Sequence, residues 1–392
     1  MTKFYLTCNW DSNQAISNHW ENKLDKVNYP NIEITTCREE ADFYIVFNKP
    51  NPTEGNFDFM NEKTILIRME PFMEENLHLW GDWAKPDYTK FKSVVSPPEC
   101  LNFVEWHLDK TFEELKESTF DEKTKGDTIS VILSDKYQDE GQMKRIDFIR
   151  YLQENYNHKI KLDIYGKGNL SRWGIKNHLG ELPLYKKDNG ILPYKYHFNC
   201  ENSYKLNYIT EKFYDGVLGN TFLFYSGAFN TNSIFPNGGF LFLDLDDFKT
   251  SAELIVKTIK NNKYETEKNK IKQLKLDILN KCLISKRLYD IVYNNTNQIT
   301  MYTYQELLDN FQEISESRHT VEHEPEIESN VLEEEPLQSP LQSPLQSPLQ
   351  SPLQSPLQSP PQSQEDIKVL LTSLISSIEK LTEALNRQNL LQ

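Results

Sequence analysis

Cysteine is scarce and unpatterned. The five residues, Cys8, Cys37, Cys100, Cys200 and Cys282, are odd in number, widely spaced and contain no CxxC pair. That excludes a disulfide framework and a cysteine-built zinc site, and it fits a reducing compartment. Long apolar runs are missing too, since no stretch reaches the roughly 20 residues of a bilayer span. The N-terminus MTKFYLTCNW reads as a strand and not as a signal peptide. A soluble, cytoplasmic chain with no transmembrane segment is therefore expected. Positive charge is in deficit: 43 Lys+Arg face 58 Asp+Glu, a net charge of -15. This excludes a nonspecific coat on nucleic acid, while a local basic pocket for one phosphorylated ligand stays open. From Glu313 onward 13 acids meet 4 bases, so the tail carries -9 and the body from Met1 to Gln312 only -6.

What is present is a chain of 392 residues, long enough for two ordinary domains and extra material. Short β-rich apolar runs recur at Phe4–Cys8, Phe43–Phe47, Thr64–Ile67, Ser93–Val95, Ile129–Leu133, Leu162–Tyr165, His197–Cys200, Thr221–Tyr225 and Phe240–Leu243. Between them, Met143–Leu152 spaces Ile146, Ile149 and Leu152 for one helical face, and Glu211–Leu218 does the same with Phe213, Tyr214, Val217 and Leu218. Apolar strands alternating with helices imply parallel sheets buried on both faces. The charged stretch Lys110–Asp127 reads as the seam between an N-terminal α/β domain, residues 1–120, and a C-terminal one, residues 127–310. Ligands of open α/β sheets lie at the carboxyl ends of the strands, so any chemistry is expected in the cleft between the two.

Composition changes after about Asn310. Residues 313–365 are acidic to Glu335 and then, from Pro336 through Ser359, repeat Pro-Leu-Gln-Ser with proline at every fourth position, and they have too little apolar surface for a core. They read as a disordered linker. In residues 366–392, Ile367, Leu371, Leu374, Ile378, Leu381 and Leu385 alternate four-three as a coiled-coil seam does. Three heptads are marginal alone, so a homo-oligomer through this helix is expected, with folding back on the body as the alternative.

The chemistry concentrates in Tyr194–Gly227. A strand ends in Glu201-Asn202-Ser203, and Thr210 then stands at the N-cap of the helix from Glu211. Free backbone N–H groups at that start favour an anion, Lys212 adds a full charge, and Glu211 is able to accept from sugar hydroxyls. A phosphate and a sugar together describe a nucleotide sugar. Taken alone, Thr-Glu-Lys also reads as an ordinary helix start. In the N-terminal half, the run Thr64–Ile67 turns out through Arg68-Met69-Glu70-Pro71, which puts Glu70 at the end of a strand, facing the cleft. There a carboxylate is able to take a proton from an incoming hydroxyl; taken alone, it also reads as a solvated loop residue.

Tyr196-His197-Phe198-Asn199-Cys200-Glu201-Asn202-Ser203, then Tyr208-Ile209-Thr210-Glu211-Lys212-Phe213 and a strand ending Tyr225-Ser226-Gly227, resemble the signature of the α-1,3/4-fucosyltransferases, glycosyltransferase family 10. Arg145–Leu152, Leu162–Gly166, Phe235–Phe248 and the Met69-Glu70-Pro71 stretch are similar to it more weakly. Cys200, Asn207 and Asn220–Phe224 depart from the pattern, which has Asp or Gly at position 207 and Gly-x-x-Pro-Val from position 220. The resemblance implies two Rossmann-like domains facing a cleft, the GT-B arrangement, with the acceptor on the first domain and GDP-fucose on the second. It implies Glu70 as catalytic base, Arg145 and Lys212 on the donor diphosphate, and Glu201, Asn202, Tyr208 and Glu211 about the rest of the donor. The implied reaction is inverting transfer of L-fucose from GDP-β-L-fucose to an acceptor oligosaccharide or glycoconjugate, in α-1,3 or α-1,4 linkage to GlcNAc or Glc, with no metal or other cofactor. Alternatives are another nucleotide sugar on the same fold, or a non-catalytic glycan-binding protein. Many animal members carry a membrane anchor, and its lack points to a microbial or viral source acting on cytoplasmic substrates. Asp244-Leu245-Asp246 is a lone DxD, His197 has no second histidine at ligand spacing, and Gly166-Lys167-Gly168 lacks the rest of a phosphate loop.

Overall fold

The computed structural model describes residues 1–55, 58–71, 80–97, 101, 103–120 and 123–294. The expected linker 313–365 and coiled coil 366–392 lie outside the described residues.

Ten strands form two five-stranded sheets in which every neighbouring pair is parallel. The first sheet, in order β2-β1-β3-β4-β5, is built from β1 (Thr2–Cys8), β2 (Ile32–Thr35), β3 (Phe43–Phe47), β4 (Thr64–Ile67) and β5 (Ser93–Val95). The second, in order β10-β9-β8-β6-β7, is built from β6 (Ile129–Ser134), β7 (Leu162–Lys167), β8 (Tyr196–Cys200), β9 (Phe222–Ser226) and β10 (Phe240–Phe242). Two parallel α/β domains are therefore present. All five residues of β8 and of β9 are buried, which is why Tyr-His-Phe-Asn-Cys and Phe-Leu-Phe-Tyr-Ser read as continuous apolar runs and not as alternating ones.

The helices that matter for the site are α1 (Asn13–Glu21), α2 (Glu140–Asn155), α3 (Glu211–Leu218), α4 (Phe248–Lys260), α5 (Lys268–Lys281) and α6 (Ile284–Tyr293). Helix α2 begins three residues before the apolar spacing does, because Asp139 and Gln142 close a capping box at its start. Its Ile146, Ile149 and Leu152 pack into one core with Val131 of β6, Phe198 of β8 and Ile255 of α4. Helix α3 presents Phe213, Tyr214, Val217 and Leu218 to a second core shared with Leu274 and Ile278 of α5. Helix α6 returns to the first sheet, where Ile284, Leu288 and Ile291 pack with Phe4, Ile16 and Ile45. The Ser285 hydroxyl there accepts from the Asp25 N–H at 2.8 Å. The charged stretch 110–127 contains a short helix, Phe112–Glu117, capped by Thr111 and Glu114, whose Phe112 and Leu115 bury against the α3 core. No helix among the described residues is long and apolar enough to cross a membrane.

Candidate functional site

In the second sheet the chain order reverses at β6, which has β7 on one side and β8 on the other. A crevice opens at the carboxyl ends of the strands where such a reversal occurs. Arg145, on α2, bridges that point: its Nη1 donates to the Cys200 carbonyl at 3.2 Å and to Asn202 Oδ1 at 3.0 Å, and its Nη2 donates to Ser134 Oγ at 3.2 Å. Cys200 ends β8 and Ser134 ends β6. Three of the five guanidinium N–H groups are thus committed to the protein, and Nε is buried with no partner. The remaining pair, on Nε and Nη2, has no partner among the described residues. The first turn of α2 reaches this point because residue 141 is glycine. Its N–H donates to the Asn202 carbonyl at 3.0 Å, and a Cβ there would lie 1.8 Å from the Glu201 carbonyl oxygen. Sequence reasoning missed Gly141, whose signal, a glycine in the first turn of an amphipathic helix, was present.

The loop after β8 is anchored by Glu201, which is fully buried. One carboxylate oxygen accepts from the Thr210 N–H at 2.8 Å and from Tyr225 Oη at 3.1 Å, and the other from Thr210 Oγ1 at 2.6 Å. Glu201 thus orients the cap of α3, and both its oxygens are occupied. Thr210 in turn accepts from the Lys212 N–H at 3.3 Å. The Lys212 ammonium lies 3.2 Å from Glu211 and 3.6 Å from Glu201. Burial opposes its charge, but Glu211, Glu201 and Glu70 together hold it above the ordinary lysine range, with Arg145 acting against them. Burial likewise pushes the Glu211 carboxyl up, and Lys212 and Lys187 overcome this to hold it well below the usual carboxylate range. No motif marks Lys187, which lies 3.8 Å from Glu211 and 2.9 Å from Asp215.

Glu70 stands just beyond the end of β4. Asn48, in a left-handed conformation at φ 59°, accepts from the Met69 N–H at 2.8 Å and the Glu70 N–H at 3.4 Å. The Arg68 guanidinium, over the Trp80 ring at 4.5 Å, donates to the carbonyls of Trp83 at 2.5 Å and Ala84 at 3.3 Å. These contacts fix the turn that carries the carboxylate. Tyr208 Oη, from the loop after β8, donates to Glu70 Oε2 at 2.5 Å. Burial raises the Glu70 carboxyl above its ordinary range, and Lys212 and the Tyr208 hydroxyl pull the other way. Of the seven residues singled out in the sequence, Glu201 and Glu211 thus lie against the Lys212 ammonium, Tyr208 bonds Glu70, and Asn202 bonds Arg145. Glu74 and Glu75 lie outside the described residues.

Two departures from the family pattern share one cause. Asn207 and Asn220 have φ of 59° and 57°, where the pattern has Asp or Gly and Gly. Asn is among the residues that adopt left-handed backbone most readily, so the turns survive the substitutions.

Other motifs are held by the protein itself. Asp246 pairs with Lys144 at 2.6 Å, and Asp244 Oδ1 accepts from the Asp246 N–H at 3.0 Å. His197 is buried against Ser130 Oγ at 2.6 Å, and burial pushes its imidazole down to about 3. His19, Glu105 and His107 bring ligand atoms within 4.8 Å of one another. However, Lys23 Nζ lies 3.3 Å from His19 Nδ1, and burial lowers it only to about 8. A cation therefore occupies the place where a metal-bound imidazole needs an acceptor. The cluster reads as a hydrogen-bonded knot tying α1 to the connector. A cavity of about 520 Å³ opens beside the end of β6, lined by Asp135, Lys136, Tyr137, Gln138, Arg172 and Trp173, with Tyr137 and Trp173 stacked at 4.3 Å.

Residues 122–282 match the family described as glycosyltransferase family 10 (fucosyltransferase), C-terminal. No curated protein sequence matches the chain. Among solved structures, an α1,3-fucosyltransferase is 16% identical over 80% of this chain and 90% of its own, with a TM-score of 0.42. An α1,3-fucosyltransferase with GDP-fucose is 14% identical over 84% and 93%, TM-score 0.39. WaaG, a glycosyltransferase of lipopolysaccharide biosynthesis, is 7% identical over 75% and 100%, TM-score 0.45. At these TM-scores the likenesses add nothing to the fold described above.

Proposed function

We propose that the chain, whose residues 122–282 match the C-terminal domain of the glycosyltransferase family 10 fucosyltransferases, is an inverting transferase that moves L-fucose from GDP-β-L-fucose to a hydroxyl of a glycan or glycoconjugate. Glu70 deprotonates the acceptor hydroxyl, which attacks the anomeric carbon from the face opposite GDP. The bond to phosphate breaks through an oxocarbenium-like state, and the configuration passes from β to α. Negative charge builds on the departing diphosphate, and Lys212 with the Nε–Nη2 edge of Arg145 meets it. Pre-placed cations of this kind leave no metal necessary. The cavity at Asp135–Gln138, next to Ser134 and so to Arg145, is of a size for the nucleoside. GlcNAc or Glc is the proposed acceptor sugar, linked α-1,3 or α-1,4.

The observation that carries this reading is that the loop after β8 bonds Arg145 through Asn202 Oδ1 at 3.0 Å and reaches Glu70 on the other domain through the Tyr208 hydroxyl. In this reading one loop ties the proposed base to the proposed leaving-group clamp. The test is a donor and acceptor screen read by mass spectrometry, with NMR of the product. Addition of one α-linked deoxyhexose from GDP-fucose, and no transfer from UDP-sugars, supports it. A chain neither stabilised by GDP-fucose nor able to consume it with any acceptor is not a fucosyltransferase.

A further inference from the structure

Tyr208 was read from the sequence as a contact to the donor. Its side chain is fully buried and crosses 138 positions of sequence to donate its phenolic O–H to Glu70 Oε2. We infer that Tyr208 is a positioning residue for the base, one that locks the Glu70 carboxylate with Oε2 bonded and Oε1 presented to the incoming hydroxyl. The inference rests on the reading of Glu70 as the base.

The aim of the tyrosine is built in from both sides. On its N-terminal side Asn207 takes the left-handed turn, and its N–H donates to Asn230 Oδ1 at 3.0 Å while Asn230 Nδ2 donates back to Asn207 Oδ1 at 2.9 Å. The Tyr208 N–H donates to the Lys205 carbonyl at 3.2 Å. On its C-terminal side Thr210 is clamped twice by Glu201. A loop held this firmly delivers the phenol to a fixed place.

The carboxylate needs such a partner. Glu70 follows a four-residue strand, and the bonds that its own domain gives the turn, from Asn48 to the Met69 and Glu70 N–H groups and through the Arg68 side chain, hold its backbone and not the carboxylate. No described residue donates to Oε1. A side chain free to rotate would present either oxygen in many directions, and a base must stand within hydrogen-bond reach of the proton it takes. The proton inventory is consistent. The acceptor O–H gives its proton to Oε1 as its oxygen forms the bond to the anomeric carbon and the diphosphate leaves with the old bonding pair. Tyr208 keeps its own proton throughout, since burial and the nearby carboxylates hold its phenol well above the ordinary range. Glu70 then returns its proton to solvent. Because the two partners lie on connections from different sheets, the base is set only when the loop after β8 is docked on the turn after β4.

The experiment compares the full chain with its Tyr208→Phe variant. One charge-assisted hydrogen bond is lost, so kcat is expected to fall about tenfold to a hundredfold, with KM for GDP-fucose and the Kd for GDP within about threefold. The acidic limb of the kcat profile is expected to move up by about one pH unit, because the neutral acid no longer competes against a bonded carboxylate. Asn230→Ala, which frees the loop without touching the phenol, should move the same limb in the same direction. Weaker GDP binding with kcat and the limb unmoved would make Tyr208 a donor contact and overturn the inference. A second readout needs no substrate: the carboxyl carbon of Glu70, assigned by its loss in Glu70→Gln, is titrated by NMR in both forms. A higher Glu70 pKa in Tyr208→Phe supports the bond, and an unchanged one refutes it, whatever the protein transfers.

Discussion

Gly141→Ala adds one methyl group at the point where α2 meets the end of β8. The new Cβ would lie 1.8 Å from the Glu201 carbonyl oxygen and 2.9 Å from the carbonyl carbons of Glu201 and Asn202. All three are backbone atoms, so no side-chain rotation relieves the clash. Reaching ordinary contact distances of about 3.5 Å requires a separation of roughly 1.5 Å between the helix start and the loop. That breaks the Gly141 N–H bond to Asn202 and draws Asn202 Oδ1 away from Arg145. Overpacking of this kind costs about 1–3 kcal/mol, to which the lost hydrogen bond adds about 1 kcal/mol, giving a Tm drop of roughly 5–12 °C for a body of this size. A misplacement of ~1 Å near the chemistry costs about a hundredfold in rate, so transfer should suffer more than stability. Calorimetry and initial rates with GDP-fucose are the assays. A variant with wild-type Tm and a rate within threefold of wild type would show that the close approach is not what holds Arg145.

Removing the ammonium in Lys212→Ala leaves Glu201, Glu211 and Glu70 facing one another; GDP binding measured by calorimetry should weaken at least tenfold, and Lys212→Met should do the same. Glu105→Gln replaces a carboxylate that burial pushes up but that His107 and His19 hold well below the usual range. Its stabilising effect is present above the ordinary carboxylate pKa and fades as pH falls below it, so the variant should lose about 2–3 kcal/mol in urea melts at pH 7 and less at pH 4. Truncation after Glu335 removes the heptad segment, and light scattering should then read a monomer at concentrations where the full chain is an oligomer; an unchanged mass would remove the coiled coil from the account.

Nine of the ten strands were legible because parallel strands covered on both faces appear as apolar runs. The tenth, β2, was not: Ile32-Glu33-Ile34-Thr35 is a four-residue edge strand, buried only at Ile32, and edges need few apolar residues. Helix α3 matched its apolar spacing residue for residue, since a Thr cap and a strong face agreed. The site was legible as a set of residue types but not as a set of bonds. Glu201 looked like a ligand contact and is an anchor for Thr210 and Tyr225, a pairing that only folding of β9 against β8 creates. Tyr208 meeting Glu70, and α6 returning to the first sheet, depend on packing between distant segments, to which local patterns are blind. Asn207 and Asn220 looked like losses from the family pattern because side-chain identity was legible and backbone handedness was not.

The most direct measurement is the transfer rate of Glu70→Gln beside its affinity for GDP. The amide keeps the shape and the acceptor oxygen for Tyr208 but accepts no proton, so the rate should fall by about 10²–10⁴ with the Kd for GDP unchanged. A rate within a few fold of wild type, with folding and GDP binding intact, would contradict the assignment of the base and with it the placement of the reaction in this cleft.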